Sequence, residues 1–145
     1  MLSIGIMSRQ TGTKVQTIRY YEQIGLLPEP ERSQGGQRRY HKADLDRLSF
    51  IRHARQLGFP LQDIRDMLGM ADHPQQSCEE VDLIAQRQLR EVEQRLARLK
   101  ALRKELKRMI AQCAGNSVAE CRILRVLGDH SECLTEQHST GKIRP

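Results

Sequence analysis

SCEEVDLIAQRQLREVEQRLARLKALRKELKRMIAQC, Ser77 to Cys113, carries one cysteine next to its start and another at its end. Between them an apolar series runs Ala85, Leu89, Val92, Leu96, Leu99, Leu106, Ile110, at spacings of three, four or seven. That spacing is the seam of a coiled-coil helix. Cys78 and Cys113 are thirty-five residues apart, which is five whole heptads, so both thiols fall on the seam. At about 1.5 Å per residue they stand roughly 52 Å apart along one helix. A single chain therefore keeps them separate. In an antiparallel partner position i faces 191 − i, which pairs Cys113 with Cys78, Ile110 with Val81, Leu106 with Ala85, Leu102 with Leu89, and Leu99 with Val92 across the two chains. Apolar and thiol contacts obey one register, and the reading is a homodimer with two mixed-chain thiol sites.

Outward from this helix the boundaries are marked chemically. Ser77 with Glu80 reads as a capping box, placing Cys78 at the first helical position. A helix N-terminus favours the thiolate, the form that binds metal. Gly115 reads as the C-terminal cap, giving a dimerisation helix over residues 78–114 after a linker, 72–77, that contains Pro74. Beyond it, Cys121 precedes Ile123, Leu124, Val126 and Leu127, a short amphipathic helix expected to close a loop over the thiols within residues 115–128. The polar tail, 129–145, is expected to be mobile.

Residues 1–71 read as a separate domain. Ser3 caps a first helix near Ile4 to Thr11, closed by Gly12; Thr13 with Gln16 forms a capping box for a second, Lys14 to Ile24, ended by Gly25. Two short helices joined by a Gly-containing turn make the helix-turn-helix pattern. The second helix presents Lys14, Gln16, Thr17, Arg19 and Tyr20, cationic and hydrogen-bonding groups suited to phosphate and base edges, while Val15, Ile18 and Leu26 supply packing. Gly35-Gly36 permits a tight hairpin turn flanked by Arg32, Arg38, Arg39 and Tyr40, which reads as a basic wing beside the recognition helix. A helix over 43–57 directs Leu45, Leu48, Phe50, Ile51, Ala54 and Leu57 to the core, and Pro60 opens another with Leu61, Ile64, Met67 and Leu68. Arg52, Arg55 and Arg65 are either an extension of a phosphate track or simply solvated.

Composition bounds the function. All five aromatic residues lie in the first 60 of 145 residues, and the remainder is rich in Leu, Arg, Glu and Ala, a helical composition. Net charge is +6, with eleven basic against seven acidic side chains over residues 1–71, pointing to a polyanionic partner. No segment approaches the length of a membrane span and the start lacks a signal-peptide core, so a cytoplasmic protein is expected. There four cysteines suit metal binding or redox sensing better than stapling. The chain shows no nucleophile–base arrangement and no glycine-rich phosphate loop, so it is not read as an enzyme.

Cys113 and Cys121 of one chain with Cys78 of the other offer three sulfur ligands. Soft ligands select Hg(II), Cd(II), Pb(II), Zn(II) or Cu(I). His130 and Cys133 are possible additional ligands, and a Cys113–Cys121 disulfide on oxidation is the redox alternative.

IGIMSRQTGTKVQTIRYYEQIGLLPEPER, GGQRRY and LDRLSFIRHARQLGFPLQDIRDML strongly resemble the MerR family of transcriptional regulators, over about residues 3–127. The resemblance implies a mainly α fold: a winged helix-turn-helix DNA-binding domain, a long antiparallel coiled-coil dimerisation helix and a short C-terminal metal-binding loop and helix. It carries Lys14, Thr17, Arg19, Tyr20, Arg38 and Tyr40 over as DNA-contacting positions, and Cys78, Cys113 and Cys121 as the cysteines of the divalent soft-metal branch. It implies promoter DNA and RNA polymerase as partners, repression without metal, and activation by distorting the promoter when Hg, Cd, Pb or Zn binds, with no organic cofactor. Copper, silver and gold sensors of the family typically lack a thiol at the position of Cys78, though the Cys113–Cys121 loop length suits them too.

Overall fold

A computed structural model describes residues 1–112, 118 and 121–129. Its elements in chain order are α1 (Ile4–Thr11), α2 (Val15–Gln23), β1 (Glu31–Arg32), β2 (Arg38–Arg39), α3 (Lys42–Gln56), α4 (Leu61–Ala71), α5 (Glu79–Gln112) and α6 (Arg122–Gly128). The chain divides into two compact units, Met1–Ala85 and Gln86–Pro145.

In the first unit the Ser3 hydroxyl caps α1 by accepting from the Ile6 amide at 3.3 Å. Gly12 ends the helix in the left-handed region at φ 68°, its N–H donating to the Ser8 carbonyl. α2 buries Ile18 and Tyr21, three residues apart on one face. Its expected capping box does not form. Lys14 holds the cap position without a side-chain bond, and the Thr13 hydroxyl has no partner among the described residues. Thr13 is buried in the α1–α2 turn, one residue ahead of the cap position. After α2, Leu26 and Leu27 both donate to the Tyr21 carbonyl and enter the core.

The wing is an antiparallel pair in which Glu31 opposes Arg39 and Arg32 opposes Arg38. Its turn is wider than the Gly35-Gly36 pair suggested. Ser33 N–H donates to the Gln37 carbonyl at 2.8 Å, so the loop spans Ser33–Gln37, and only Gly36 takes a positive φ, 80°. A further rung joins Tyr40 to Leu2 through reciprocal backbone bonds of 2.7 and 2.8 Å.

From α3 the core takes Leu48, Ile51 and Ala54, and from α4 Ile64, Met67 and Leu68. Phe50 and Leu57, expected inside, are 38% and 66% exposed. Phe50 is two residues from Leu48, roughly 200° around the helix. Leu57 lies beyond the end of α3, next to Gly58 at φ 85°, which turns the chain. The first turns of α5 also belong to this core: Ile84 is buried and Val81 packs on the cluster, so the unit runs to Ala85.

α5 starts one residue later than its sequence suggests. The Cys78 carbonyl accepts the first helical bond from Asp82 at 2.9 Å, making Cys78 the cap, and Ser77 Oγ accepts from Glu79 N–H rather than from the Glu80 amide that a capping box requires. Glu79, Glu80 and Asp82 in the first turn complement the helix dipole.

In the second unit the α5 seam is open. Leu89, Val92, Leu96, Leu99, Leu106 and Ile110 are 46–64% exposed. The neighbouring stripe is the buried one: Glu105 and Met109 are inside, as is Val126 of α6. Arg108 neutralises Glu105, with Nη2 at 2.7 Å from Oε1.

Candidate functional site

α2 sorts its residues by face. Ile18 and Tyr21 point into the core, while Lys14, Gln16, Arg19 and Tyr20 are exposed and Thr17 is half-buried. The exposed set is four of the five expected recognition-helix residues, and it forms a polar face free to meet a ligand.

The wing brings its basic residues alongside. Arg19 of α2 and Arg38 of β2 line one cleft of about 370 Å³ with Ser3, Ile4, Gly36 and Gln37. Arg38 is fixed there because its Nε donates to Glu22 Oε2 at 3.1 Å. Arg39 is half-buried opposite Glu31. Tyr40 is placed differently from the expected DNA contact: it is 1% exposed, and its hydroxyl donates to Glu22 Oε1. Burial pushes its phenol well above the ordinary value, and the hydrogen bond and charge of Glu22 push the same way, so it stays a neutral donor.

A second cleft, about 380 Å³, collects Lys14 and Thr17 from α2 with Arg52 and Arg55 from α3, beside Gly12, Thr13 and Tyr21. The two α3 arginines thus adjoin the start of α2, and Arg55 is held by a 3.0 Å bond to the Phe59 carbonyl. Arg65 is neither of the two things its sequence position suggested, a phosphate contact or a solvated side chain. Its Nη2 donates to the Ile24 carbonyl at 2.7 Å, and Arg47 Nε to the Leu26 carbonyl at 2.9 Å. Both arginines brace the end of α2. Glu22 was missed from sequence altogether; only the adjacency of Tyr21 and Glu22 inside a family-specific run marked the position, and its two partners are sixteen and eighteen residues away.

Of the expected thiols, Cys78 is exposed at the cap of α5 and Cys121 is half-buried at the cap of α6; neither is in a disulfide. They belong to different compact units. Cys113 lies outside the described residues, as do His130 and Cys133. Among the described residues no three His, Cys, Asp or Glu side chains converge on a metal-sized site. The donor chemistry of the two free thiols, each at a helix cap, suits a soft or borderline ion. No helix among the described residues is long and apolar enough to cross a membrane.

The sequence matches the family described as MerR HTH family regulatory protein over residues 2–70, and the one described as MerR, DNA binding over residues 45–109. It is 41% identical over 130 residues to the HTH-type transcriptional regulator ZntR of Escherichia coli K12, covering 88% of this chain and 92% of that protein. Among solved structures it resembles the transcription regulator PbrR691 of Ralstonia metallidurans CH34 in complex with lead(II), at TM-score 0.74 and 38% identity, over 88% of this chain and 99% of that one. It also resembles the dual-function regulator MerR of Bacillus megaterium MB1 in complex with mercury(II), at TM-score 0.64 and 27% identity, over 83% and 94% of the respective chains.

Proposed function

This chain belongs to the MerR family of helix-turn-helix regulatory proteins, and on that premise we propose that it is a metal-responsive transcriptional regulator, not an enzyme, acting on promoter DNA as a homodimer. The polar face of α2, exposed Lys14, Gln16, Arg19 and Tyr20 with half-buried Thr17, enters the DNA, and Arg38 and Arg39 of the wing engage neighbouring backbone. One observation carries the DNA reading: the fold brings Arg19 and Arg38, from separate elements, into a single cleft flanking that face. Arginines so placed suit phosphate and guanine.

The effector is a soft divalent ion, Hg, Cd, Pb or Zn, held by thiolates of Cys78, Cys113 and Cys121 at the dimer interface. The similarity to a lead(II)-bound and a mercury(II)-bound regulator supports this class, and the exposed seam of α5 supports a second chain lying on it. Without metal the dimer holds the promoter in a form unproductive for RNA polymerase and represses. An effector moves the balance between two DNA shapes only through differential affinity for the protein conformations that go with them. The activating conformation distorts the promoter spacer, and the deformability of that spacer is part of the switch.

The test is an anaerobic titration of the reduced protein with Hg(II), Cd(II), Pb(II), Zn(II) and Cu(I) in competition, following thiolate absorbance and metal per dimer. Tight binding of one divalent ion per three-thiol site is expected. Preference for Cu(I) would move the protein to the monovalent branch. Failure to bind any of them would overturn the metal reading in favour of redox control.

A further inference from the structure

Glu22 stands three residues after Arg19 on α2, with its side chain only 9% exposed. Both carboxylate oxygens are engaged by the wing: Oε2 accepts from Arg38 Nε at 3.1 Å, and Oε1 accepts from the Tyr40 hydroxyl. Tyr40 is anchored in turn by its two backbone bonds to Leu2. The wing strands are two residues each. So short a hairpin does not hold a fixed angle to its neighbours unaided. Something outside it must set where Arg38 stands, and the buried carboxylate is the group that touches both ends of the link.

We infer that Glu22 is the positioning residue of the DNA-reading surface, tying the wing to the recognition helix so that Arg38 and Arg19 address one stretch of phosphate backbone. The inference rests on the DNA-binding reading and adds a residue that reading does not use. Glu22 touches no DNA. It takes Arg38 by Nε alone, and the terminal nitrogens make no other bond among the described residues. A guanidinium held by one of its five donors is oriented while its outer edge stays available for a phosphate. Tyr40, kept neutral by burial, contributes the second tie and stops the carboxylate from swinging.

The experiment measures affinity against salt concentration for a duplex that the wild-type protein has selected from a randomised library. Removing one phosphate contact makes the slope of log K against log salt shallower by about 0.9, so unseating Arg38 in both subunits removes about 1.8. Glu22→Gln keeps the size of the side chain and removes its charge. It is expected to bind about tenfold more weakly, with the shallower slope, at unchanged helical circular dichroism. Arg38→Ala is expected to match it, and the double variant to be no weaker than Arg38→Ala alone. Glu22→Asp, which keeps the charge on a shorter arm, should recover part of the affinity. Wild-type affinity and slope in Glu22→Gln would overturn the inference, as would losses that multiply in the double variant. Failure of the wild type to select any duplex would overturn the DNA-binding reading itself.

Discussion

Arg65 of α4 donates from Nη2 to the main-chain carbonyl of Ile24, at 2.7 Å, across forty-one residues of sequence. Ile24 is the C-terminal cap of α2, where helix carbonyls lack internal partners. A guanidinium is suited to that place by hydrogen bonding and by the sign of the helix dipole. The end of α2 is thus braced by a helix of the same compact unit. Arg65→Ala is expected to lower stability by about 1–3 kcal/mol, the cost of leaving a partly buried carbonyl unpaired and removing a charged donor. Urea denaturation measures it, and an unchanged midpoint would deny the brace.

Gly12 carries the turn between α1 and α2 at φ 68°. A Cβ there would have Arg52 Nη2 at 3.8 Å, an ordinary contact, so the obstacle is the backbone conformation and not space. Gly12→Ala is expected to cost about 1–2 kcal/mol by forcing an L-residue into the left-handed region. Thermal unfolding at matched concentration checks this, and a stabilised variant would contradict it.

Leu96 sits near the centre of the exposed seam, 49% exposed on the single chain. With a second helix over the seam, Leu96→Glu buries a carboxylate without a partner, and the protein should sediment as a monomer at micromolar concentration. A dimer undisturbed by this change would place the interface elsewhere. Leu96→Ala separates charge burial from the removal of packing: the smaller change should weaken the dimer without abolishing it.

Arg19→Ala removes one wall of the cleft shared with Arg38. Operator binding is expected to weaken by about tenfold or more, the scale of 1–3 kcal/mol for a good Arg contact, while metal stoichiometry stays as in the wild type. Gel-shift titration and metal analysis on the same preparation decide it; full DNA affinity would remove Arg19 from the interface.

Cys78→Ser should abolish the response to divalent ions and leave DNA affinity nearly unchanged. Serine offers a hard, weak donor in place of a thiolate. Cys78 is exposed and outside the buried core, so the substitution has little folding cost. Transcription assayed with and without metal, beside operator affinity, tests the separation; equal loss of both would refute it.

The sequence by itself determined the order and kind of the elements, because each is signalled locally. Ser3 and Gly12 bracket α1, Ile18 and Tyr21 give α2 its inner face, and the heptad spacing from Leu89 to Ile110 makes one long helix with an apolar stripe. Periodicity also sorted the polar side of α2, since exposure on a helix follows from residue number. Local signals misled at particular positions. Thr13 reads as a cap yet is folded into a turn, and Phe50 reads as core yet lies around the helix from Leu48. Only the tertiary structure decided which distant residues meet: Glu22 with Arg38 and Tyr40, Arg65 with Ile24, Arg52 and Arg55 with Lys14. Those pairings depend on how helices and hairpin pack in space. The spacing of polar side chains along the chain carries no trace of that packing, because a hydrogen bond between elements depends on three-dimensional distance and direction alone.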